Sequence, residues 1–347
     1  MGILVCAPID KDVERYRVVE YIENVTNKDV LEIKVPIISF KKFEDLLIAT
    51  ETASQIKESV FFILKKLLDK ERELKGVFEQ HFDFTSFIRS FKWNEDDYGK
   101  KILPMETLNI FQSEYEGIRT LTDSKITEFN DTKRNFKNLR KKISGNLYEK
   151  DLSMITDEPE ELEFLKYIFS VIPKSEKVNF TKFINQSEYI VSDGCEVVDE
   201  DEEYIVMKLL ILKSKNEEVE KKITEQKYII KKREYSSKEE LEVLDRSFEK
   251  NFLIIKQNLS VFLDANIMET LNLYIHAEIL KLATENILKY GLYDETIYFY
   301  IFDENKNVYR LDKITNKWPF SSKKDFRKVK TDEKVFFSFL DYYSFLK

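Results

Sequence analysis

Few residues in this chain have the chemistry of a catalytic or metal-binding site. It contains two histidines, His81 and His276, and two cysteines, Cys6 and Cys195, which lie in four separate segments. Structural zinc sites use closely spaced cysteine and histidine ligands, and disulfide frameworks need more cysteines. A metal site would therefore have to consist of carboxylates. The candidate is the acidic run at residues 199–203.

This acidic run lacks the pattern of a calcium-binding loop. Asp199, Glu200, Asp201, Glu202 and Glu203 are consecutive, so their side chains point in different directions. A calcium loop places its ligands at alternate positions around a glycine. The run is more typical of a solvated hairpin loop. The sequence also lacks the phosphate-binding, dinucleotide-binding, zinc-protease and serine-hydrolase motifs. We therefore expect no catalytic residues, no metal and no cofactor.

The remaining polar and aromatic candidates each have a structural interpretation. His276 lies on a helical pattern among apolar neighbours, which favours a buried, hydrogen-bonded histidine over a catalytic one. Both cysteines are interpreted as small apolar residues, and the phenylalanines of residues 78–91 as core rather than a ligand site. A local basic patch is either a solvated helix face or a docking surface for an acidic partner. It consists of Lys221, Lys222, Lys231, Lys232 and Arg233.

Composition excludes several classes of protein. The 347 residues carry a net charge of −8, and the pI of about 5.3 argues against a nucleic-acid binder or a protein held on anionic lipid by charge alone. No run reaches the roughly 18 apolar residues of a membrane span, so we expect no direct membrane insertion. With 7 glycines and 6 prolines, the chain favours long elements. The scarcity of cysteine fits a reducing cytosol.

The elements that position these residues are dominated by a heptad row. Its steps alternate between three and four residues without a slip, which predicts one stripe along a helix. A helix over residues 106–143 would span roughly 55 Å, more than one globular core. It therefore predicts a spacer between two domains. The row comprises Leu108, Phe111, Tyr115, Ile118, Thr122, Lys125, Phe129, Thr132, Phe136, Leu139 and Ile143.

A second long helix is expected to return alongside the first. Ser236 with Glu239, or Ser237 with Glu240, fits a capping box at its start. Its row includes Leu241, Leu244, Phe248, Ile255 and Phe262, interrupted by Asn251 and Asn258. The expected fold is α+β, an elongated two-lobed dumbbell with an antiparallel two-helix neck. Its predicted parts are a foot from residues 1–105 and 265–347, neck helices at 106–146 and 236–264, and an α/β head at 147–235.

Within these domains the pattern predicts further strands and helices. Gly145 and Gly291 are expected to end helices as left-handed caps, and residues 94–99 are expected to form a polar loop. Residues 53–68 are alternatively a separate helix after a short break near Thr50, and residues 162–169 are alternatively helical because of their glutamate and leucine content. The predicted strands are 3–8, 30–38, 162–172, 188–191, 196–198, 204–212, 296–302, 308–314 and 335–345, and the further helices are 41–68, 178–184, 217–232 and 266–290.

One string in the last helix resembles the C subunit of the eukaryotic V-type proton-pumping ATPase. The family carries a similar run of a histidine, a leucine, a basic residue, a glutamate, a leucine, a basic residue and Tyr-Gly-Leu. The matching positions here are His276, Leu280, Lys281, Glu285, Leu288, Lys289, Tyr290, Gly291 and Leu292. They are interpreted as structural or interface residues.

Shorter and weaker matches extend the resemblance over nearly the whole chain. Residues 91–93, Phe-Lys-Trp, stand before the long helix as in the family, and residues 171–175 resemble its Val-Pro-Lys-Ser string. Some positions depart from the pattern. Tyr274 stands where a tryptophan is usual, Glu278 where a lysine is usual, and Lys232 where a proline is usual.

The resemblance implies a non-catalytic, cytosolic member of the V1 sector. Such a protein joins peripheral stalks, made of the E and G subunits, to the N-terminal domain of the a subunit. It would act on the cytosolic face of vacuolar or endosomal membranes, resist the torque of the rotor and support reversible assembly. A generic helical adaptor would have the same predicted shape but no reason for the string ending at Leu292. An enzyme of unfamiliar type would need a pocket with converging ionisable groups.

Overall fold

The computed structural model describes residues 2–75, 84–291, 295–302, 318–320 and 336–340. The chain divides into two compact units. The first comprises residues 1–125 and 258–347, and the second comprises residues 126–257. Two long helices contain residues of both units. These are α5 (Pro104–Ser144) and α8 (Lys238–Tyr290).

The first unit contains an antiparallel sheet in the order β2-β7-β1-β8. Strand β1 is buried along its whole length, as a continuous apolar run predicts. It pairs with two strands from the other end of the chain, so N-terminal and C-terminal segments share one core. The strands are β1 (Gly2–Ile9), β2 (Val30–Ile33), β7 (Glu295–Phe302) and β8 (Phe336–Leu340).

The described part of the first unit also contains helices. Helix α1 (Arg15–Thr26) packs Val18 and Ile22 into the core of the sheet. Helix α2 (Phe43–Lys75) buries a stripe from Leu46 to Leu68 at helical spacing. Two short helices, α3 (Phe84–Ser90) and α4 (Glu95–Tyr98), precede α5. Residues 273–280 of α8 are all buried, so this part of the helix is a core element.

The second unit is built on an antiparallel sheet in the order β4-β5-β3-β6. Helices α6 (Lys177–Gln186) and α7 (Asn216–Glu225) share one apolar cluster with it. Leu147 and Leu152 belong to another cluster with Phe169, Val171 and Val206. The strands are β3 (Leu165–Pro173), β4 (Ile190–Glu200), β5 (Tyr204–Leu212) and β6 (Ile229–Lys231).

Parts of α5 and α8 pack together within the second unit. The rings of Phe129 and Phe136 lie 5.7 and 5.4 Å from the ring of Phe252. Arg140 forms ion pairs with Asp245 and Glu249, at 3.4 and 3.1 Å. Later residues of α5 meet earlier residues of α8, so these segments are antiparallel. A neck that separates two lobes stays a prediction.

Several predicted element boundaries are wrong. Residues 238–290 form one helix rather than two, and Asn266 continues it by donating its side-chain amide to the carbonyl of Phe262. Helix α2 passes Thr50 without a break, and the hydroxyl of Thr50 donates to the carbonyl of Leu46 at 2.9 Å. The predicted strand at 30–38 ends at Ile33. Residues 95–98 are helical, with Asn94 as the side-chain cap, rather than a loop.

The predicted ends of other helices and strands also differ from those in the structure. The helix predicted over 217–232 ends at Glu225, and after Lys227, with a φ of 65°, the chain enters β6. Strand β4 is continuous, with bulges, instead of two strands. Gly291 has a φ of +83° and confirms the predicted cap, whereas Gly145 does not have positive φ. A side chain at Gly145 would instead meet the carbonyl of Lys141 at 2.3 Å.

Several other predicted elements are present in the structure. The strand predicted at 162–172 is confirmed as β3, although it begins at Leu165, and the strand at 204–212 and the short helix at 178–184 are also confirmed. Helix α1 was not predicted. The predicted strand at 308–314 lies outside the described residues.

Candidate functional site

His276 belongs to the first unit and has no exposed surface. Its Nδ1–H donates to the carbonyl of Asn272, one turn earlier on α8, at 2.8 Å. Its Nε2 accepts the backbone N–H of Asn94 at 3.1 Å. Both ring nitrogens are therefore satisfied by the neutral imidazole, in the tautomer with the proton on Nδ1.

Aromatic side chains surround the His276 ring. The rings of Phe91, Trp93 and Tyr98 have centroids 4.8, 4.9 and 4.8 Å away, and that of Phe111 lies at 6.4 Å. Burial lowers the pKa of His276 to about 4, although the bond to Asn272 opposes this. A proton would have to enter an apolar environment, so the imidazole stays neutral near pH 7. This geometry is that of a structural histidine.

The other family-motif positions lie along the end of α8 and differ in how deeply they are buried. Leu280 is fully buried, and Lys281 and Glu285 form a partly exposed ion pair at 3.7 Å. Leu288 and Lys289 are half-buried, and Gly291 ends the helix through its N–H bond to Ile287 at 2.8 Å. The side chain of Tyr290, and all of Leu292, lie outside the described residues.

A buried carboxylate lies two residues beyond His276. Glu278 has no exposed surface, and its Oε2 is 2.8 Å from the Nζ of Lys57 on α2. Neither oxygen has an aligned hydrogen-bond donor among the described residues, so the ammonium supplies charge rather than a well-directed bond. Burial, and then the charge of Glu278, raise the pKa of Tyr274. Both positions depart from the family pattern.

The predicted basic patch divides into two groups in the second unit. The Nζ of Lys231 donates to the carbonyls of Leu147 and Tyr148, at 2.5 and 3.1 Å. Burial lowers the pKa of Lys231 to about 8. Arg233 donates to the carbonyls of Thr156 and Ser236, at 2.6 and 3.3 Å. These two side chains therefore hold local structure together.

The other three basic residues face solvent. Lys221 and Lys232 have side chains that are 78% and 74% exposed, and Lys222 is less exposed. Each lies 3.2–4.0 Å from a glutamate of α7. Exposed pairs of this kind contribute little to stability. These three side chains are therefore the part of the patch that a partner can reach.

The first two residues of the acidic run end β4, and the other three form the turn to β5. Asp201 accepts backbone N–H groups from Leu147 at 2.7 Å and Tyr204 at 2.6 Å. Desolvation opposes the effect, but these donors lower the pKa of Asp201. Glu200 pairs with Lys174 at 2.7 Å. Among the described residues no cluster of His, Cys, Asp or Glu could hold a metal ion.

Both cysteines and two of the aromatic candidates lie in or against the apolar core. Cys6 is buried in β1, where burial raises the pKa of its thiol, and Cys195 is half-buried. Phe84 and Phe91 are buried in the core, while Phe78, Phe82 and His81 lie outside the described residues. Within the described ranges, no helix is both long and apolar enough to cross a lipid bilayer.

Comparison with known proteins defines the class. A sequence model for the C subunit of V-ATPase matches residues 3–336. The chain therefore belongs to the V-ATPase C-subunit family. It is 23% identical over 236 residues to the V-type proton ATPase C subunit 1 of Rattus norvegicus, and 24% identical over 243 residues to that of Xenopus laevis. These alignments cover 64% and 66% of this chain.

The similarity to individual proteins is partial. The chain spans 60% and 61% of the length of those two curated relatives. Among solved structures, it is similar to the cytoplasmic N-terminal domain of an I subunit, which is a homologue of the a subunit of V-ATPase. The match has 9% identity, covers 90% of this chain and 96% of that one, and has a TM-score of 0.42. That score is too low to indicate a shared fold.

The pairing of Lys57 with Glu278, and the position of Phe252, were missed by sequence reasoning. Glu278 lies on the buried face of α8 between Ile275 and Leu282, which signals a buried charge in need of a partner. The sequence does not indicate which of many lysines would supply it. Phe252 lies one position after Asn251, and the predicted row of this helix runs through Asn251 and not through Phe252.

Proposed function

We propose that this protein is a non-catalytic stator component of the V1 sector of a vacuolar-type proton-translocating ATPase. It would bridge peripheral stalks of the E and G subunits to the N-terminal domain of the a subunit. The match of residues 3–336 to the C-subunit family carries this proposal. A generic adaptor would give no reason for that match.

The long helices support a mechanical role. At about 1.5 Å per residue, the 41 residues of α5 would extend roughly 60 Å. A continuous helix resists bending better than a flexible linker. A stator must hold still while the rotor delivers torque, and a dumbbell with a two-helix neck would meet that need.

The chemistry of the candidate residues fits a role without catalysis. His276 is neutral, fully hydrogen-bonded and enclosed by rings, so it has no capacity left for proton transfer in this state. The exposed Lys221, Lys222 and Lys232 would meet an acidic stalk surface. Polar contacts of this kind separate more readily than large apolar ones, which suits reversible assembly.

The proposed location follows from this role. The protein would be cytoplasmic and would act on the cytosolic face of vacuolar or endosomal membranes, held there by the complex.

A binding experiment tests the bridge. The full chain would be titrated by calorimetry with the E–G heterodimer, and separately with the N-terminal domain of the a subunit, both from the same organism. We expect binding to each and a ternary complex when both are present. A folded chain that binds neither would overturn the bridging role. Phe164→Ala, at a 72% exposed position outside the basic patch, is the folding control.

A further inference from the structure

A recess of about 750 Å³ opens in the first unit, beside the aromatic side chains that surround His276. One wall comes from the end of α3 and the start of α4, and the other from α8. The connection before α4 is held to α8 because the N–H of Asn94 donates to His276. The lining comprises Phe87, Ser90, Phe91, Lys92, Trp93, Asn94, Glu95, Asp96, Met268, Glu269 and Asn272.

The recess has aromatic walls. Phe87, Phe91 and Trp93 line it from one chain segment. Trp93 is only 5% exposed, and its indole Nε1–H has no acceptor among the described residues. A buried indole N–H usually has a hydrogen-bond partner. This donor is therefore unmatched in the wall of the recess.

The recess is also negatively charged. Glu95, Asp96 and Glu269 line it, and the described residues include no cation in an ion pair with any of these three. Burial, together with the charges of Asp97 and Glu269, raises the pKa of the neighbouring Glu114. The negative charges are therefore crowded. Lys92 is the basic residue in the lining.

We propose that this recess binds an arginine side chain presented by a partner protein. A guanidinium stacks on aromatic faces and donates to carboxylates at the same time, which matches both kinds of wall. A nucleic acid or an anionic lipid would be repelled by the same carboxylates.

This binding site does not depend on the bridging role, because it is defined without reference to which protein presents the arginine. Its test uses the isolated full chain and no other protein. A negative result would leave the bridge untouched, and failure of the bridge would leave this site untouched.

The test uses Trp93 as an internal reporter. The chain has two tryptophans, so Trp318→Phe leaves Trp93 alone. The probe is the peptide acetyl-Gly-Arg-Gly-Arg-Gly-amide, and its matched control has glutamine at both arginine positions. We expect a saturable change in Trp93 fluorescence with the arginine peptide and none with the glutamine peptide. Because Trp318 is buried, calorimetry on the unaltered chain repeats the measurement.

Neutralising the carboxylates identifies the site. We expect Glu95→Gln combined with Glu269→Gln to weaken binding about tenfold, as losing about 1.4 kcal/mol of attraction would. Glu20→Gln, an exposed position on α1, is the matched control and should leave affinity unchanged. Equal loss in both variants, equal binding of both peptides, or no binding by either method would overturn the assignment.

Discussion

The rings of Phe136 and Phe252 stack with centroids 5.4 Å apart and planes inclined by 17°. Phe136 belongs to the heptad row of α5, and Phe252 lies on the antiparallel segment of α8. The guanidinium carbon of Arg140 lies 4.6 Å from the centroid of Phe136. The contact therefore joins two helices within the second unit through an aromatic pair and an adjacent cation.

The stacked pair should stabilise the second unit measurably. We expect Phe252→Ala to lower the free energy of unfolding by about 3 kcal/mol, since it removes a ring packed on Phe129 and Phe136. In a double-mutant cycle with Phe136→Ala, the coupling should be about 1 kcal/mol. Urea denaturation followed by circular dichroism measures both. The exposed Phe164→Ala should change stability by less than about 0.5 kcal/mol, and additivity of the pair would contradict direct stacking.

His276 should make stability depend on pH in a defined window. Its folded pKa of about 4 lies below the ordinary value of 6.5, so only the unfolded chain binds this proton between those values. As pH falls through that window, the histidine should cost about 3 kcal/mol of stability. Above pH 6.5 it should cost nothing.

Replacing His276 tests this sign. His276→Phe should be less stable at pH 7, because the N–H of Asn94 loses its acceptor. Its stability should nevertheless fall less steeply than that of the original chain between pH 6.5 and 4. Carboxylates titrate equally in both proteins, so the difference reports the histidine. His81→Phe, the change at the other histidine, controls for composition. Parallel pH profiles of the original chain and His276→Phe would refute the assignment.

The heptad row of α5 shows why one helix was predictable in detail. Every member from Leu108 to Ile143 is buried or half-buried, including the polar Thr122. A stripe at alternating steps of three and four needs only local information. On α8 the same reasoning placed Asn251 and Asn258 in the row. The packed side chains are Phe252 and Leu259, one position later, because apolar residues occupy adjacent positions and the local pattern leaves the choice open.

The surroundings of His276 could be predicted only in part. Its burial follows from apolar neighbours on α8, but its hydrogen-bond partner Asn94 lies 182 positions away in the chain. The same is true of the ion pair between Lys57 and Glu278. Contacts between distant segments depend on how α2, α4 and α8 pack, and no local period carries that information. Ser237 was predictable as a cap, and it accepts the N–H of Glu240 at 3.2 Å.

The pair of Lys57 and Glu278 should behave as a buried ion pair. Lys57→Met leaves a carboxylate with no exposed surface and no counter-charge, so we expect a loss of about 3 kcal/mol. Adding Glu278→Gln should recover most of that loss, because the buried charge is then absent. Thermal unfolding of the two variants and of Glu278→Gln alone completes the cycle. A double variant less stable than Lys57→Met would show that the pair is not the cause.

Substitutions in the two groups of the basic patch should differ in how much they lower the stability of the chain. Arg233→Ala removes donors from the carbonyls of Thr156 and Ser236, and we expect a loss of about 1–2 kcal/mol. Lys221→Ala and Lys232→Ala remove exposed pairs and should cost less than about 0.5 kcal/mol each. Urea denaturation of the single variants measures these losses. If Lys221→Ala destabilised the chain as much as Arg233→Ala, the division of the patch would be wrong.

The aromatic contact between α5 and α8 should also matter for the proposed stator. In an assembled pump, Phe129→Asp combined with Phe136→Asp removes both rings that pack on Phe252 and puts charged side chains in their place. We expect the helices to separate, so that ATP hydrolysis continues while proton pumping falls. Parallel assays of ATP hydrolysis and vesicle acidification measure this ratio. Lys137→Gln, at an exposed position on the same stretch of α5, is the control for altered charge. A folded Phe129→Asp, Phe136→Asp chain with an unchanged ratio would show that this contact does not transmit torque.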